Sequence, residues 1–395
     1  EIPASMSNFT SPELYLNCVI KVCEIDGATG AEKGIDENDQ DFTLSSFPLH
    51  SLFSDVEFRC NNLTLTTKSS LYPYLAYFIE THLTASDEIK LKEGTALAHH
   101  FKHLTLSLTK GAGQAAIRQA ICDNKLVLVR DVLHIPLLEQ DKAILNNCTL
   151  TIVLHQTSNE FRIIDKKQRK VKVEIKDIFL TGKRQILFDG LYMRMMNKLK
   201  ASPAIYPIKR YLVEQLQMPI GATTISKTLS LATSVVPDYL FLMYVPTAAV
   251  AGDKTMSPFD SNISKITRAQ INFEGRNFPA QPYDATDSRD LVRIYSDYKI
   301  ACKNISNKPN QFNDVSFEAF RADYGLMAFQ LARYGGSSKD MMDENMVSLP
   351  RAGVAVLSLQ LSSAESISKT FILISCYRNK IFFNESMIPS TDFTG

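Results

Sequence analysis

The sequence predicts an all-β protein made of two β-sandwiches in tandem, with short helices in the connecting loops. Short segments that alternate apolar and polar residues recur along the 395 residues, and turn-forming pairs such as Asp26-Gly27 separate many of them. The pattern breaks at residues 197–207, where charge, small residues and two prolines interrupt it, and then resumes. Each half is long enough to bury its own core. We therefore expect the first sandwich at residues 1–200 and the second at 201–395.

The first half contains most of the predicted strands. Residues 56–60 and 63–67 both alternate across an Asn61-Asn62 turn, which predicts two antiparallel neighbours with one solvated face. The predicted strands of this half are 14–23, 42–47, 56–60, 63–67, 104–108, 126–133, 150–156, 171–175 and 185–188. Such short, punctuated strands are typical of a sandwich or barrel.

One short helix is predicted directly after the first strand pair. Pro73 follows Ser70 closely, and proline is favoured in the first turn of a helix. An apolar stripe is expected from four residues at helical spacing, namely Leu75, Phe78, Ile79 and His82. A helix of about ten residues is marginal alone in water, so this one is expected to pack on a sheet.

The second half repeats the strand pattern. Its predicted strands are 239–245, 266–273, 291–295, 325–331, 354–361 and 370–378. Two stretches with little pattern, 24–41 and 296–314, are expected to be long surface loops, which often carry contacts.

Composition excludes several classes of function. The formal net charge of +1 provides no overall attraction to nucleic acid or to an anionic membrane. No apolar run approaches the roughly eighteen residues of a membrane span, and the polar residues 1–10 do not resemble a signal peptide. The seven cysteines are scattered without a C-x-x-C pair, so we expect buried thiols. The protein is therefore expected to be made inside the cell, without a secretory signal.

A glycine-rich segment is the strongest sign of an alternative, enzymatic function. The run Gly111-Ala112-Gly113-Gln114-Ala115-Ala116 follows a predicted strand, and Asp131 lies twenty residues after Gly111, as in dinucleotide-binding folds. A parallel strand in such a fold is uniformly apolar, whereas residues 104–108 alternate, and the chain lacks repeated strand–helix units. We interpret the segment as a loop between sandwich strands and predict no cofactor.

The sequence also predicts no metal site and no catalytic residues. His99 and His103 could lie one helical turn apart with His100 beside them, but there is no H-E-x-x-H pattern and no evident third ligand. The acidic residues 36–41 lack the glycine and the bidentate glutamate of a calcium loop. No nucleophile elbow occurs. The prediction is a protein without enzymatic activity.

A basic segment at residues 166–172 has two interpretations. Alternation continues through Val171 and Val173, which favours a charged hairpin turn leading into a half-exposed strand. The functional hypothesis is a weak contact with the phosphates of a nucleic acid, made by the basic side chains Lys166, Lys167, Arg169 and Lys170.

Several short motifs between residues 14 and 361 together form a recognisable pattern. They are His50-Ser51-Leu52-Phe53, Tyr72-Pro73-Tyr74 with Ala76, Tyr77 and Glu80, Tyr206-Pro207-Ile208-Lys209-Arg210, Ser257-Pro258-Phe259-Asp260, and Phe273-Glu274-Gly275-Arg276 with Pro279. This pattern resembles the major capsid proteins of Polinton (Maverick) elements and adinto-like viruses. Ser257 departs from an expected asparagine, and Thr81-His82-Leu83 departs from an apolar ending.

The resemblance implies a double jelly roll, in which two jelly-roll sandwiches follow each other along the chain. It implies a major capsid protein whose three chains form a pseudo-hexameric homotrimer, and whose trimers tile an icosahedral shell around double-stranded DNA. It further implies a location in the virion capsid and a single jelly-roll penton (vertex) protein as partner. The motif residues would then have structural roles, and the two predicted loops would face outward.

Three other functions remain open at this stage. A secreted or surface sandwich that binds glycans or receptors is favoured by six glycosylation sequons, at Asn8, Asn62, Asn147, Asn262, Asn304 and Asn384. A dinucleotide-binding enzyme would explain the glycine-rich segment. A minor or vertex capsid protein is disfavoured, because such proteins usually carry one jelly roll and this chain has two similar halves.

Overall fold

The computed structural model shows a predominantly antiparallel β architecture, which confirms the all-β prediction. It describes residues 2–3, 8–36, 41–61, 63–66, 68–84, 119–229, 236–306, 313, 315–331 and 354–392. All pairings between the described strands are antiparallel. Most of the predicted strands are present, and two match residue for residue, Leu150–Gln156 and Ile266–Phe273.

The first sandwich is built around one long central strand. Its strands are β1 (Asn8–Ile25), β2 (Glu32–Lys33), β3 (Phe42–Leu44), β4 (Phe53–Cys60), β5 (Leu63–Thr64), β6 (Leu126–Val132), β7 (Leu150–Gln156), β8 (Ile163–Asp165) and β9 (Val171–Ile186). β1 pairs with β9 along one edge and with β6 and β2 along the other, while β4 lies between β5 and β7 and β3 pairs with β8. The β4–β5 pairing confirms the predicted neighbours.

The second sandwich has two sheets of similar size. Its strands are β10 (Ala204–Met218), β11 (Thr224–Thr228), β12 (Tyr239–Pro246), β13 (Ile266–Phe273), β14 (Arg276–Tyr283), β15 (Met327–Gln330), β16 (Ala355–Leu361), β17 (Lys369–Phe383) and β18 (Pro389–Thr391). One sheet has the order β10-β17-β12-β15, with β18 beside β17, and the other has the order β11-β16-β13-β14.

Helices are short and lie in the connections, as predicted. They are α1 (Pro48–Ser51), α2 (Tyr72–Phe78), α3 (Asp189–Ala201), α4 (Thr247–Val250), α5 (Ser288–Ile305) and α6 (Phe317–Ala322). A π-helical turn, Ile79–Leu83, continues α2, and a 3-10 turn covers Glu160–Arg162. A further helical turn lies at residues 119–122. None of the described helices is long and apolar enough to cross a membrane.

Buried apolar side chains of the described residues form two cores, one in each sandwich, and the cores exchange residues. Tyr206 and Ile208 of β10, together with Phe383 of β17, pack into the first core. Phe47 and Phe161 pack into the second. The boundary predicted between residues 200 and 201 stays a prediction.

One predicted strand and one predicted loop are wrong. Residues 291–295 and most of 296–306 lie in α5 rather than in a strand followed by a loop. The Asp287 carboxylate caps this helix by accepting a hydrogen bond from the Arg289 backbone N–H at 2.9 Å. The buried residues of α5 recur at helical spacing, at Leu291, Ile294, Tyr298, Ala301, Cys302 and Ile305. The short apolar run 291–295 fits both the period of a strand and that of a helix, and the N-terminal cap at Asp287 favours the helix.

The break predicted at 197–207 consists of the end of α3 and the start of β10. Pro207 lies within β10, opposite Lys380. Because β10 is an edge strand of its sheet, its ladder tolerates a residue without an N–H. The prolines therefore did not mark a linker without secondary structure.

The cysteines are free thiols, as the sequence predicts. Six of them are buried and Cys122 is half-buried. Burial raises the pKa of Cys302 and of Cys376, which keeps these thiols protonated and unreactive near neutral pH.

Candidate functional site

Helix α2 and its π turn lie between the two cores, and this position organises the motif residues. Tyr72 and Ala76 pack into the first core, whereas Tyr77 and Phe78 pack into the second. The sequence predicts one apolar stripe, but the helix is buried on nearly all sides because it has a hydrophobic neighbour in each sandwich. The single-stripe prediction is therefore wrong in extent, although the helix itself is confirmed.

Two of the sequence motifs meet at the junction of the sandwiches. The ring of Tyr77 stacks on the ring of Phe259, with centroids 4.8 Å apart and an interplanar angle of 10°. Tyr74 and Phe161 approach the same Phe259 ring edge-on, at 5.5 Å and 5.9 Å. Phe259 is 2% exposed, and Pro258 before it is also buried. These residues form an aromatic joint between the halves of the chain.

A buried polar group, the histidine cluster, lies beside this helix. We define it as His50, Tyr72, Glu80, Asp131, His134 and Glu139. Tyr72 Oη lies 3.0 Å from His50 Nδ1 and 3.4 Å from the backbone nitrogen of His134. His134 Nε2 lies 3.0 Å from Glu80 Oε1, and His134 Nδ1 lies 3.4 Å from Glu139 Oε1. His50 Nε2 lies 3.5 Å from Asp131 Oδ2. The cluster thus combines two imidazoles with three carboxylates.

Three separate segments position these side chains, namely α1, α2 with its π turn, and β6 with the residues that follow it. His50 belongs to α1, which begins after Phe47 in a left-handed conformation with φ of 51° and is tied back by a hydrogen bond of 2.7 Å from Ser51 Oγ to the Ser46 carbonyl oxygen. Tyr72 begins α2 and Glu80 lies in the π turn. Asp131 lies near the end of β6, and His134 follows that strand.

The two imidazoles have opposite electrostatic settings. Burial disfavours the charged form of His134, but hydrogen bonds to Glu139 and Glu80 outweigh it and raise its pKa to about 9. For His50, burial is the larger effect and lowers the pKa, although the Asp131 carboxylate opposes it. At neutral pH the cluster therefore contains one charged and one neutral imidazole, with ring centroids 4.9 Å apart.

The remaining motif residues lie away from this cluster. Ser51 is in α1, Leu52 follows it, and Phe53 begins β4. Tyr206 in β10 donates a hydrogen bond of 2.8 Å to the carbonyl oxygen of Ala143. Gly275 occupies the exposed turn between β13 and β14. The structural roles predicted for the motif residues stay predictions, but Tyr72, Glu80 and His50 share one site.

The basic segment forms a turn between β8 and β9, but those strands are in different sheets, so the turn is not a hairpin. Lys166, Lys167 and Lys170 are exposed. Arg169 forms ion pairs with Asp165 at 2.8 Å and with Glu24 at 3.6 Å. Arg169 is therefore already engaged within the fold, and the proposed DNA contact would depend on the lysines.

Several segments whose functional interpretation the sequence disfavours lie outside the described residues, as does the predicted strand 104–108. These include the glycine-rich run 111–116, the histidines at 99, 100 and 103, and part of the acidic segment 36–41. Asp131 is described, and its β6 strand pairs antiparallel to β1. A dinucleotide fold requires a parallel sheet at that point, so Asp131 is not placed as a ribose ligand. It lies in the histidine cluster instead.

Sequence reasoning missed His134, Asp131 and Glu139 as partners of the motif residues. Their separation from His50 along the chain is too large for any spacing rule. A weak signal was His134 itself, a single polar residue within the apolar run from Val132 to Leu138 at the end of an alternating strand. The cluster is buried, so as described it can position elements or hold an ion, but it offers no open surface for a large substrate.

Comparison with known sequences identifies a distant relative of this chain. No protein-family model matches the chain. The uncharacterized protein F54H12.2 of Caenorhabditis elegans is 24% identical over 294 residues, which cover 72% of this chain and 67% of that protein.

Solved viral structures share the whole architecture. A chain of the Sputnik virophage structure matches 99% of this chain and 84% of its own length, with a TM-score of 0.61 and 10% identity. The mavirus major capsid protein matches 99% of this chain and 86% of its own, with a TM-score of 0.55 and 12% identity. The Faustovirus major capsid protein matches 96% and 86%, with a TM-score of 0.51 and 8% identity. At these identities the likeness establishes the fold, which is a double jelly roll.

Proposed function

We propose that this chain is the major capsid protein of an icosahedral double-stranded DNA virus or virus-like transposon of the Polinton (Maverick) type. The observation that carries the proposal is the double jelly-roll likeness to the mavirus major capsid protein, which spans 99% of this chain and 86% of that one. The motif pattern from His50 to Gly275 supports the finer assignment. The role is structural, and we propose no enzymatic activity.

The proposed capsomer is a homotrimer. Fifteen large apolar side chains are exposed in the part of the chain that the structure describes, and eight of them lie between residues 126 and 193, in β6, β9 and α3 and the residues that connect β9 to α3. They are Leu126, Leu128, Ile178, Phe179, Ile186, Phe188, Leu191 and Met193. An open groove of about 470 Å³ beside them is lined by Leu14, Leu154 and Leu180 among others. Such a concentration of exposed apolar surface is typical of a protein–protein interface, so we assign it to the contact with a second copy.

Further parts of the proposal concern organisation and partners. We propose jelly rolls at residues 1–200 and 201–395, a location in the virion capsid, and a single jelly-roll penton protein at the vertices. The exposed lysines Lys166, Lys167 and Lys170 support a weak contact with packaged DNA.

Light scattering on the purified protein, followed by electron microscopy, tests the proposal. We expect a stable species of three times the 44.3 kDa chain mass with a hexagonal outline in top view. A monomer at all concentrations, or a dimer with an open cleft, would contradict it. Intact-mass measurement of protein from its native source distinguishes this proposal from the alternative of a secreted binding protein, which would carry several N-glycans.

A further inference from the structure

The histidine cluster contains the donor set of a metal site. One ligand atom from each of His50, Glu80 and His134 lies within 4.8 Å of the other two. The three side chains are 2%, 1% and 5% exposed. Two imidazole nitrogens and a carboxylate oxygen are a ligand set that binds Zn²⁺ and related first-row divalent ions.

The rings are also held as metal-binding imidazoles are held. A ligating histidine generally engages an outer partner through its second ring nitrogen, which fixes the tautomer and the ring plane. His50 Nδ1 lies 3.0 Å from Tyr72 Oη, and His134 Nδ1 lies 3.4 Å from Glu139 Oε1. Tyr72 Oη already accepts from the His134 backbone N–H at 3.4 Å, so it suits a second donor from His50. The Nε2 atoms of both rings are then the ligand atoms, and the ion would replace the proton that His134 Nε2 now shares with Glu80 Oε1 at 3.0 Å.

The Nε2 atom of His50 provides a second argument for a bound ion, independent of the donor set. It makes no hydrogen bond although the side chain is 2% exposed. Its nearest carboxylate oxygen, Asp131 Oδ2, is 3.5 Å away, at the outer limit of hydrogen bonding. Buried polar atoms are almost always satisfied, so one without a hydrogen bond requires an explanation. An ion pair of His134 with Glu80 and Glu139 accounts for the burial of His134. It does not account for the missing hydrogen bond at His50 Nε2.

We propose that His50, Glu80 and His134 bind a divalent transition-metal ion, Zn²⁺ by their donor chemistry. Asp131, whose Oδ2 lies 3.5 Å from His50 Nε2, would move toward the ion and become the fourth ligand. Zn–N and Zn–O bonds of about 2.1 Å place tetrahedral ligand atoms about 3.4 Å apart. Ligand atoms up to 4.8 Å apart would therefore approach each other by up to about 1.4 Å on binding, while His134 Nε2 and Glu80 Oε1, now 3.0 Å apart, would separate slightly. Four protein ligands make a closed, structural site. The ion would join α1, the π turn and the segment after β6, next to the aromatic joint between the sandwiches.

Metal content and cobalt spectroscopy test this proposal on the full chain. The purified protein is dialysed against a chelator and then titrated with Co²⁺ or Zn²⁺. We expect one ion per chain by elemental analysis, the visible absorption of four-coordinate Co²⁺, its loss on adding Zn²⁺, and a higher melting temperature with Zn²⁺ than after chelation. Chelated wild-type protein that binds neither ion would overturn the proposal, whatever its oligomeric state.

Variants locate the ion. His50→Asn and Glu80→Gln should each lower the Zn²⁺ affinity by about 100-fold or more, and Tyr72→Phe, which removes only an outer partner, by about 10-fold. His82→Asn is the matched control, because His82 is as buried as His50 but its Nδ1 pairs with Tyr298 Oη at 2.8 Å. It should retain one ion per chain. Equal Zn²⁺ affinity in His50→Asn, Glu80→Gln and the wild type would show that any bound ion lies elsewhere.

Discussion

Lys209 illustrates how a single buried charge makes the stability of this fold depend on pH. It is 3% exposed in β10, and its ammonium group donates to the carbonyl oxygen of Ile305. Burial lowers its pKa from 10.5 to about 8. The unfolded chain therefore binds more protons than the folded protein between those two values. Stability from this group rises with pH through that window and is at its lowest below pH 8.

The prediction is a rise of up to about 3 kcal/mol in the free energy of unfolding between pH 8 and 10.5 from this residue. Urea denaturation at several pH values measures it in the wild type and in Lys209→Met. The variant removes the titrating group, so its stability should rise less over the same range. Parallel curves for the two proteins would show that Lys209 does not titrate with a lowered pKa.

Gly275 allows a test of whether its turn requires a residue that readily adopts a left-handed backbone conformation. It has a φ of 76°, follows Glu274 with a φ of 49°, and lies in a two-residue turn between paired residues Phe273 and Arg276. A Cβ at position 275 would meet no atom within 4 Å, so any cost of Gly275→Ala comes from the left-handed backbone alone. We expect a loss of about 1 kcal/mol in thermal or chemical denaturation.

Gly190 provides the matched control for this prediction. It also has open space around its Cβ position, but its φ is not in the left-handed region and it lies in the first turn of α3. Gly190→Ala should be neutral or stabilising by up to about 1 kcal/mol, because alanine lowers the entropy of the unfolded chain and favours the helix. Equal effects of the two substitutions would contradict the backbone explanation.

At the scale of elements, the stability of α5 depends on the residue that caps its N-terminus. The Asp287 side chain accepts from the Arg289 backbone N–H, and the apolar face of the helix packs on the second core. Asp287→Ala should lower the free energy of unfolding by about 1 kcal/mol, since it removes the cap. Asp287→Asn keeps a capping acceptor and should lose less. Equal losses in the two variants would indicate that charge, rather than capping, is the main contribution, because both substitutions remove the charge.

The elements also show what could be read from the sequence. Alternation located β13 correctly because its buried residues Ala269, Ile271 and Phe273 lie on one face, and it located β7 although only Leu150 of that strand is fully buried. It did not find β10, where Tyr206 to Tyr211 are buried on both faces and a proline interrupts the pattern. It assigned the start of α5 to a strand, because the cap at Asp287 was not considered. A fully buried strand is therefore found when its apolar run is continuous, as in β12, and missed when charged residues and a proline interrupt that run, as in β10.

At the scale of the molecule, the candidate site depends on contacts that the sequence does not encode locally. The motif block contained His50, Tyr72 and Glu80, but Asp131 and His134 join them only when β6 pairs with β1. The two sandwiches and their order along the chain were predictable from repeated patterns. The exchange of residues between their cores was not, because side chains at an internal junction and in a core share one apolar pattern.

The proposed capsomer contact is tested at this scale. Phe188 is 79% exposed and Leu191 is 44% exposed. Phe188→Asp combined with Leu191→Asp should convert the expected trimer to monomer in light scattering and leave the melting temperature nearly unchanged, because both side chains are already solvated in one chain. Ile220→Asp alters a residue that is 66% exposed outside this surface and should remain trimeric. If the double variant remained trimeric, the contact between subunits would have to lie on another surface.

The aromatic joint of Tyr77 and Phe259 makes the two halves thermodynamically inseparable. Neither core is complete unless the other sandwich supplies its rings, so a half-folded chain would expose Phe161, Tyr206 and Phe383 to water. We expect a single calorimetric transition, with equal calorimetric and van't Hoff enthalpies, rather than two. Such cooperativity would leave a newly made chain no stable intermediate with one finished sandwich, so a subunit would become competent to associate only when both are formed.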